Sequence, residues 1–204
     1  IGLQSTYFGI ETLNRKTGMI IGKGYDRAKQ IKMIEQIRTK YGNDIILHGS
    51  FIVGLPHESV ESVTSTATAL FDGSIPLHSY IFSGLHISKP GPTVLSDISK
   101  NYAKYGYEEL CASSDTTFKW KNEYMTVDEA HSMALDFNHR GHATNRFHVS
   151  GQSATGLRNL GCSEEYVRET KFNQIIWTDM DQRKIEFVAN YKKLLDKKLN
   201  DPNM

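Results

Sequence analysis

The run DIILHGSFIVG, residues 44–54, constrains the fold more than any other stretch. It is apolar almost throughout. As a strand it presents hydrophobic side chains on both faces and needs cover on both, which suits a parallel strand inside an α/β layer. Its flanks agree with that. Before it, Ala28, Ile31, Ile34, Ile37 and Tyr41 recur every three to four residues on a Lys- and Gln-rich background, predicting an amphipathic helix that ends near Gly42. After it, residues 58–70 are rich in Ser, Thr and Glu and carry Val60, Val63, Ala67 and Leu70 on one stripe, a second helix stopped by FDGS. LQSTYFGI (residues 3–10) and IPLHSYIFSGLHI (residues 75–87) read as further strands. Strand, helix, strand, helix, strand predicts a parallel sheet with right-handed crossovers, whose strand ends, and therefore functional loops, gather on one side.

Beyond the SKPGPT turn at residues 88–93 the alternation stops. Residues 93–106 predict a helix with Gly106 as its stop, and residues 117–125 a short strand or irregular segment. Thr126 and Glu129 form a capping-box pattern that opens a helix ending at Gly141. Residues 151–161 and 163–172 read as two short helices. Residues 181–199 read as a final amphipathic one, with Ile185, Val188, Tyr191, Leu195 and Leu199 in register. The expected organisation is an α/β unit over residues 1–92 and a mainly helical C-terminal extension over residues 93–204.

Three strand ends carry a resemblance. FGIETLN…IGKGYD (residues 8–14 and 21–26), SFIVGLPHESVESV (residues 50–63) and YIFSGLHISKPGPT (residues 80–93) resemble, in order and spacing, the fourth, fifth and sixth strand segments of radical S-adenosylmethionine (radical SAM) enzymes. The resemblance covers about 90 residues and implies that residues 1–92 are the later half of a partial TIM-type (β/α) barrel. It implies a SAM site in which Glu11 takes the ribose hydroxyls and Lys23 meets the methionine carboxylate. Ser50 stands where some members carry an Asp directed at the ribose. Gly54 allows close approach to the adenosyl group, and Ser83 and Gly84 offer main-chain groups to adenine. A carboxylate at a strand end can accept two hydrogen bonds from a vicinal diol, and a lysine offers a compact charge, so the residue types suit these roles. The alternatives are a solvated loop acid at Glu11, a surface lysine at Lys23 and a turn glycine at Gly54. Pro56 and Leu55 would shape the wall, and Glu58 reads as a first-turn helix acid.

The family's CxxxCxxC loop, which holds its [4Fe-4S] cluster, is absent; Cys111 and Cys162 are the two cysteines and lie far apart. The chain opens at Ile1 without an initiator Met. Both facts fit the C-terminal fragment of a longer polypeptide whose missing N-terminal part carries the cluster ligands, and a chain that alone should not turn over SAM. In the complete enzyme the resemblance implies reductive cleavage of SAM to a 5′-deoxyadenosyl radical that abstracts hydrogen from an unidentified substrate. Two other readings stand beside it. One is an ordinary (β/α)-barrel enzyme using Glu11 and Lys23 directly, and the other a noncatalytic half-barrel that docks on a partner.

The remaining patterns point nowhere stronger. His57 and His86 fall at predicted C-terminal strand ends, where substrate can reach them. His48 and His78 lie within predicted strands and read as satisfied core or rim residues. His139 and His142 in HRGH lack a Cys or acid at zinc spacing, so no metal ligand is assigned. YKKLLDKK reads as a solvated basic face, and Trp120, Tyr124 and Trp177 as packing residues. A net charge of +1 supplies no global field for nucleic acid or a membrane surface, and no apolar run approaches the roughly 18 to 20 residues of a span. With two cysteines and no disulfide framework, the reducing cytoplasm is the expected location.

Overall fold

The computed structural model describes residues 5–24, 27–42, 44–111 and 119–143, with residues 162–163, 185–186, 188–190 and 192–193. It is α/β. Three parallel strands, β1 (Ser5–Glu11), β2 (Ile46–Val53) and β3 (Ser79–Gly84), form a sheet with β2 in the middle. Between β1 and β2 lie α1 (Arg15–Ile20) and α2 (Arg27–Tyr41), and between β2 and β3 lies α3 (Val60–Phe71). After β3 come α4 (Asp97–Lys100), a 3₁₀ turn (Tyr102–Tyr105), an antiparallel pair β4 (Glu108–Cys111) and β5 (Lys119–Lys121), and α5 (Val127–Ala143).

Alternation along the strands gives the sheet two unlike faces. Ile10, Leu47, Phe51, Val53, Tyr80 and Phe82 enter one hydrophobic core with Ile34 of α2, Val63, Ala67 and Leu70 of α3, and Ala130, Ala134 and Phe137 of α5. Phe82 stacks on Phe51 and tilts against Phe137, at centroid distances of 5.2 and 5.1 Å. The other face carries Tyr7, Gly9, His48, Ser50, Ser79 and Ser83 among its residues. β2 is buried on both faces except at the half-buried Ile52, as its near-continuous apolar run predicts. His48 and His78 are buried and bonded, His48 to Ser79 Oγ at 2.6 Å and His78 Nδ1 to the Leu47 amide at 2.9 Å.

The segment after residue 92 adds side chains to the same core. Tyr107, Trp120, Met125 and Phe137 all belong to it, and the segment includes a hairpin that the sequence pattern does not announce. The helix expected over residues 93–106 is shorter, a four-residue α4 followed by the 3₁₀ turn, and Gly106 ends it with φ +83°. The capping box forms as expected: Thr126 N donates to Glu129 Oε2 at 2.7 Å and Glu129 N to Thr126 Oγ1 at 3.3 Å. Gly141 does not stop α5, which continues to Ala143. It is glycine for packing, because a Cβ there would collide with the Tyr80 ring. The two short helices expected over residues 151–172 lie outside the described residues, apart from Cys162 and Ser163, which are not helical. Of the final helix, residues 185–186, 188–190 and 192–193 are described and helical, with Ile185 and Val188 exposed.

α5 also finishes the sheet. Asn138 donates from Nδ2 to Phe82 O and accepts from Phe82 N at Oδ1, both at 2.9 Å, so one carboxamide occupies a full rung of the β3 edge. Asn138→Ala leaves that rung unpaired, and urea denaturation should show a loss of about 1 to 2 kcal/mol; an unchanged midpoint would show that water serves the edge equally well.

Candidate functional site

The C-terminal ends of the three strands face one side, and β1 supplies the most unusual geometry there. Its register with β2 slips between Gly9 and Glu11. Glu11 has φ +66°, and Thr12 N donates to Ile10 O at 2.8 Å. Together these make a three-residue γ-turn of the rare positive-φ kind, a conformation that costs on the order of 1 to 3 kcal/mol for a non-glycine residue. The turn folds the Glu11 carboxylate back over Gly9. A Cβ at Gly9 would stand 2.5 Å from Glu11 Oε1 and 3.3 Å from Lys23 Nζ, so any larger residue there would push both charged groups out of this arrangement.

Lys23 arrives from α1. Asn14 caps that helix by accepting from Thr17 N at 3.1 Å, and Lys23 N and Gly24 N both donate back to Gly18 O, at 2.8 and 3.3 Å. Gly22 (φ +78°) and Gly24 (φ +68°) flank Lys23 in left-handed conformations and turn the chain back toward β1. Lys23 Nζ then donates to Gly9 O at 2.7 Å and stands 3.5 Å from Glu11 Oε1. The Glu11 side chain is 21% exposed and that of Lys23 39%, so both are open to solvent at the rim. Ser50 pairs with Gly9 across the strands, its Oγ 3.5 Å from Phe8 O.

At the end of β2, Glu58 N donates to Leu55 O at 3.2 Å around Pro56 and His57, with His57 at φ +57°. Proline in the second position and a positive φ in the third make this a type II turn. His57 is exposed, in a backbone state that histidine tolerates better than most residues. Gly54 (φ +95°) lies under Trp120, whose Cη2 would be 2.5 Å from an added Cβ. Its carbonyl accepts from Tyr107 Oη at 2.7 Å and Asn122 Nδ2 at 3.4 Å. The close neighbour of Gly54 is therefore a side chain of the same molecule. At the end of β3, Ser83 is exposed, while the His131 ring occupies the space beside Gly84. Phe82, Ser83, Gly84, His131, Leu135 and Asn138 border an open groove of about 330 Å³. His86 is exposed. Of the residues singled out in sequence, Glu11, Lys23 and Ser50 gather at one strand end. Gly54 and Gly84 are packed beneath the segment after residue 92, and His57 and His86 stand apart on separate turns.

The residue that sequence reasoning places wrongly is Glu58. It precedes the α3 cap Ser59 instead of opening the helix, and it is 2% exposed. Thr12 Oγ1 donates to its Oε1 at 2.6 Å, whereas its Oε2 is buried without a partner of hydrogen-bond geometry. Burial pushes its pKa from 4.5 up to about 7; the hydroxyls of Thr12 and, less strongly, Ser62 oppose the rise. The same acid in the first turn of α3, Glu61, is exposed. Burial separates the two environments, and the Thr12 bond that accompanies it comes from 46 residues earlier in the chain.

Among the described residues, no three His, Cys, Asp or Glu side chains form a group able to hold a metal ion, and no helix is long and apolar enough to cross a membrane. No protein-family model matches the chain, and no curated protein matches it.

Proposed function

We propose that this chain is the SAM-binding C-terminal part of a radical SAM enzyme, the later half of a partial (β/α) barrel. The observation that carries the reading is the Glu11–Lys23 pair, held over Gly9 at a strand's C-terminal end by a strained turn. Strained backbone at a rim position is kept where function uses it. An accessible carboxylate suits a ribose diol, and the ammonium beside it suits the α-carboxylate of the same zwitterionic ligand. Ser50 and the exposed Ser83 add hydroxyls along the more polar face of the sheet. Gly54 contributes a wall backed by Trp120, and the Gly84 main chain borders the groove under His131. Substrate contact falls to His57 and His86, both exposed at strand ends. No residue is assigned as catalytic.

S-adenosylmethionine supplies hydrogen-abstraction chemistry; the chain's own residues bind it, orient it and limit water. The iron-sulfur cluster does not fit the described residues, which contain no converging set of three thiolates. In this reading its ligands belong to a part of the polypeptide outside this sequence, and the complete protein works in the cytoplasm. A Schiff-base enzyme is less well supported: a nucleophilic lysine calls for an apolar pocket or a neighbouring cation, and Lys23 has a carboxylate and a carbonyl oxygen.

The coding sequence upstream of Ile1 should contain CxxxCxxC, and an uninterrupted upstream reading frame lacking it would end the proposal. In the complete protein, Glu11→Ala should weaken SAM binding about ten- to thirtyfold by calorimetry, the loss expected when hydrogen bonds to a charged group go. Unchanged affinity would refute the diol contact.

A further inference from the structure

Three long-range hydrogen bonds join the turn after β1 to the turn after β2. Thr12 Oγ1 donates to Glu58 Oε1 at 2.6 Å, Asn14 Nδ2 to Ser62 Oγ at 3.0 Å, and Thr17 Oγ1 to Pro56 O at 3.0 Å. Thr12 Oγ1 also accepts from Asn14 N at 2.9 Å, which commits its proton to Glu58. On one side of this seam lie Glu11, immediately before Thr12, and α1, which delivers Lys23. On the other lies one buried carboxylate.

We infer that Glu58 is a positioning residue for the Glu11–Lys23 pair: through Thr12 it holds the strained turn that aims the Glu11 carboxylate, without itself touching ligand. A positive-φ γ-turn at a glutamate relaxes unless its neighbours fix it. The Thr12 amide closes the turn, and among the described residues the Thr12 side chain is anchored by the Asn14 amide and Glu58. An ionisable acid at 2% exposure is a poor choice for stability alone, since a neutral side chain that satisfies Thr12 would serve better. Retaining stability-costing groups is characteristic of sites under functional demand.

Titration of Glu58 gives the inference a signature. Its ionised form accepts from Thr12 more strongly than its neutral form. Tyr107, whose hydroxyl binds Gly54 O, is the phenol whose ionisation Glu58 opposes, and burial first of all holds it well above the ordinary range, so it stays neutral throughout. His57 and Glu61, its near neighbours in the chain, are exposed.

The test has two arms, the second resting on the SAM reading above. In the first, the amide resonances of Glu11 and Thr12 in this chain are followed from pH 5.5 to 8.5 without ligand. They should move together with a midpoint near 7, the value expected for Glu58, and stay still in Glu58→Gln. Resonances that do not move, or that still titrate in Glu58→Gln, overturn the inference. In the second arm SAM affinity is measured in the complete protein. Above pH 8, Glu58→Gln and Thr12→Val should each bind about five- to tenfold more weakly than the parent, the difference narrowing for Glu58→Gln below pH 6. Parent-like binding by both variants, where Glu11→Ala binds poorly, also overturns it. If SAM binds no variant and not the parent, while the resonances titrate as described, the SAM reading fails and the positioning role stands.

Discussion

Trp120→Ala should lower stability by about 3 to 5 kcal/mol, the range for deleting a large aromatic from a packed core. Trp120 is fully buried, and its Nε1 donates to Leu85 O at 3.0 Å. Its ring meets Tyr107 edge-on at 5.1 Å and closes over Gly54. Truncation therefore opens a cavity, strips a buried carbonyl of its donor and frees the backbone at the end of β2. Trp120→Phe fills much of the space but lacks the N–H, and should lose roughly 1 to 3 kcal/mol. Urea denaturation monitored by circular dichroism reads both. A loss under about 1 kcal/mol for the alanine variant would mean that the hairpin of β4 and β5 is not integral to the core.

Glu58→Gln should make the protein more stable at pH 8 by about 2 to 3 kcal/mol, with the advantage gone by pH 4.5. The sign follows from the direction of the shift. Burial raises the folded-state pKa from 4.5 to about 7, so the folded protein holds this proton more tightly than the unfolded chain. Stability from the neutral carboxyl is complete below pH 4.5, falls as pH rises toward 7 and is lost above it. Glutamine mimics the neutral acid at every pH and escapes that loss. Asp97, held low chiefly by the Tyr105 hydroxyl, and Glu129, held low by the Thr126 amide and hydroxyl, act in the opposite sense at acid pH and cancel between parent and variant. Denaturation at pH 4.5 and pH 8 tests the claim, and a variant no more stable than the parent at pH 8 refutes it. The same substitution is expected to weaken ligand binding at that pH, so stability and affinity should move in opposite directions.

Periodicity makes the three parallel strands, α2 and α3 legible: Ile34, Val63, Ala67 and Leu70 are buried as the pattern requires, whereas Ala28, Tyr41 and Val60 at the ends of the two stripes are exposed. The capping box at Thr126 was equally readable, being complete within four residues. α1 was not: six residues containing Gly18 and Thr17 carry little propensity, and the helix depends on the Asn14 cap and on the Thr17 bond to Pro56, 39 residues away. β4 escaped notice because its register is fixed by a partner strand beyond an intervening segment. Within the site, Glu11 and Lys23 stood out by spacing, but their meeting over Gly9 depends on a γ-turn that no residue pattern announces. In sequence Gly54 reads as room for a ligand or a turn and Gly141 as a helix stop, and what stands against them in the fold is Trp120 and Tyr80 from elsewhere in the chain. A glycine reports that something is close; it does not say what.

The carboxamide on the β3 edge restricts how copies of this molecule can associate. Among the described residues β1 has β2 as its only strand neighbour, whereas β3 is closed at Phe82. Joining β1 of one molecule to β3 of the next is a head-to-tail contact that builds a ring or a fibre according to whether its rotation closes, and Asn138 stands against either at the Phe82 rung.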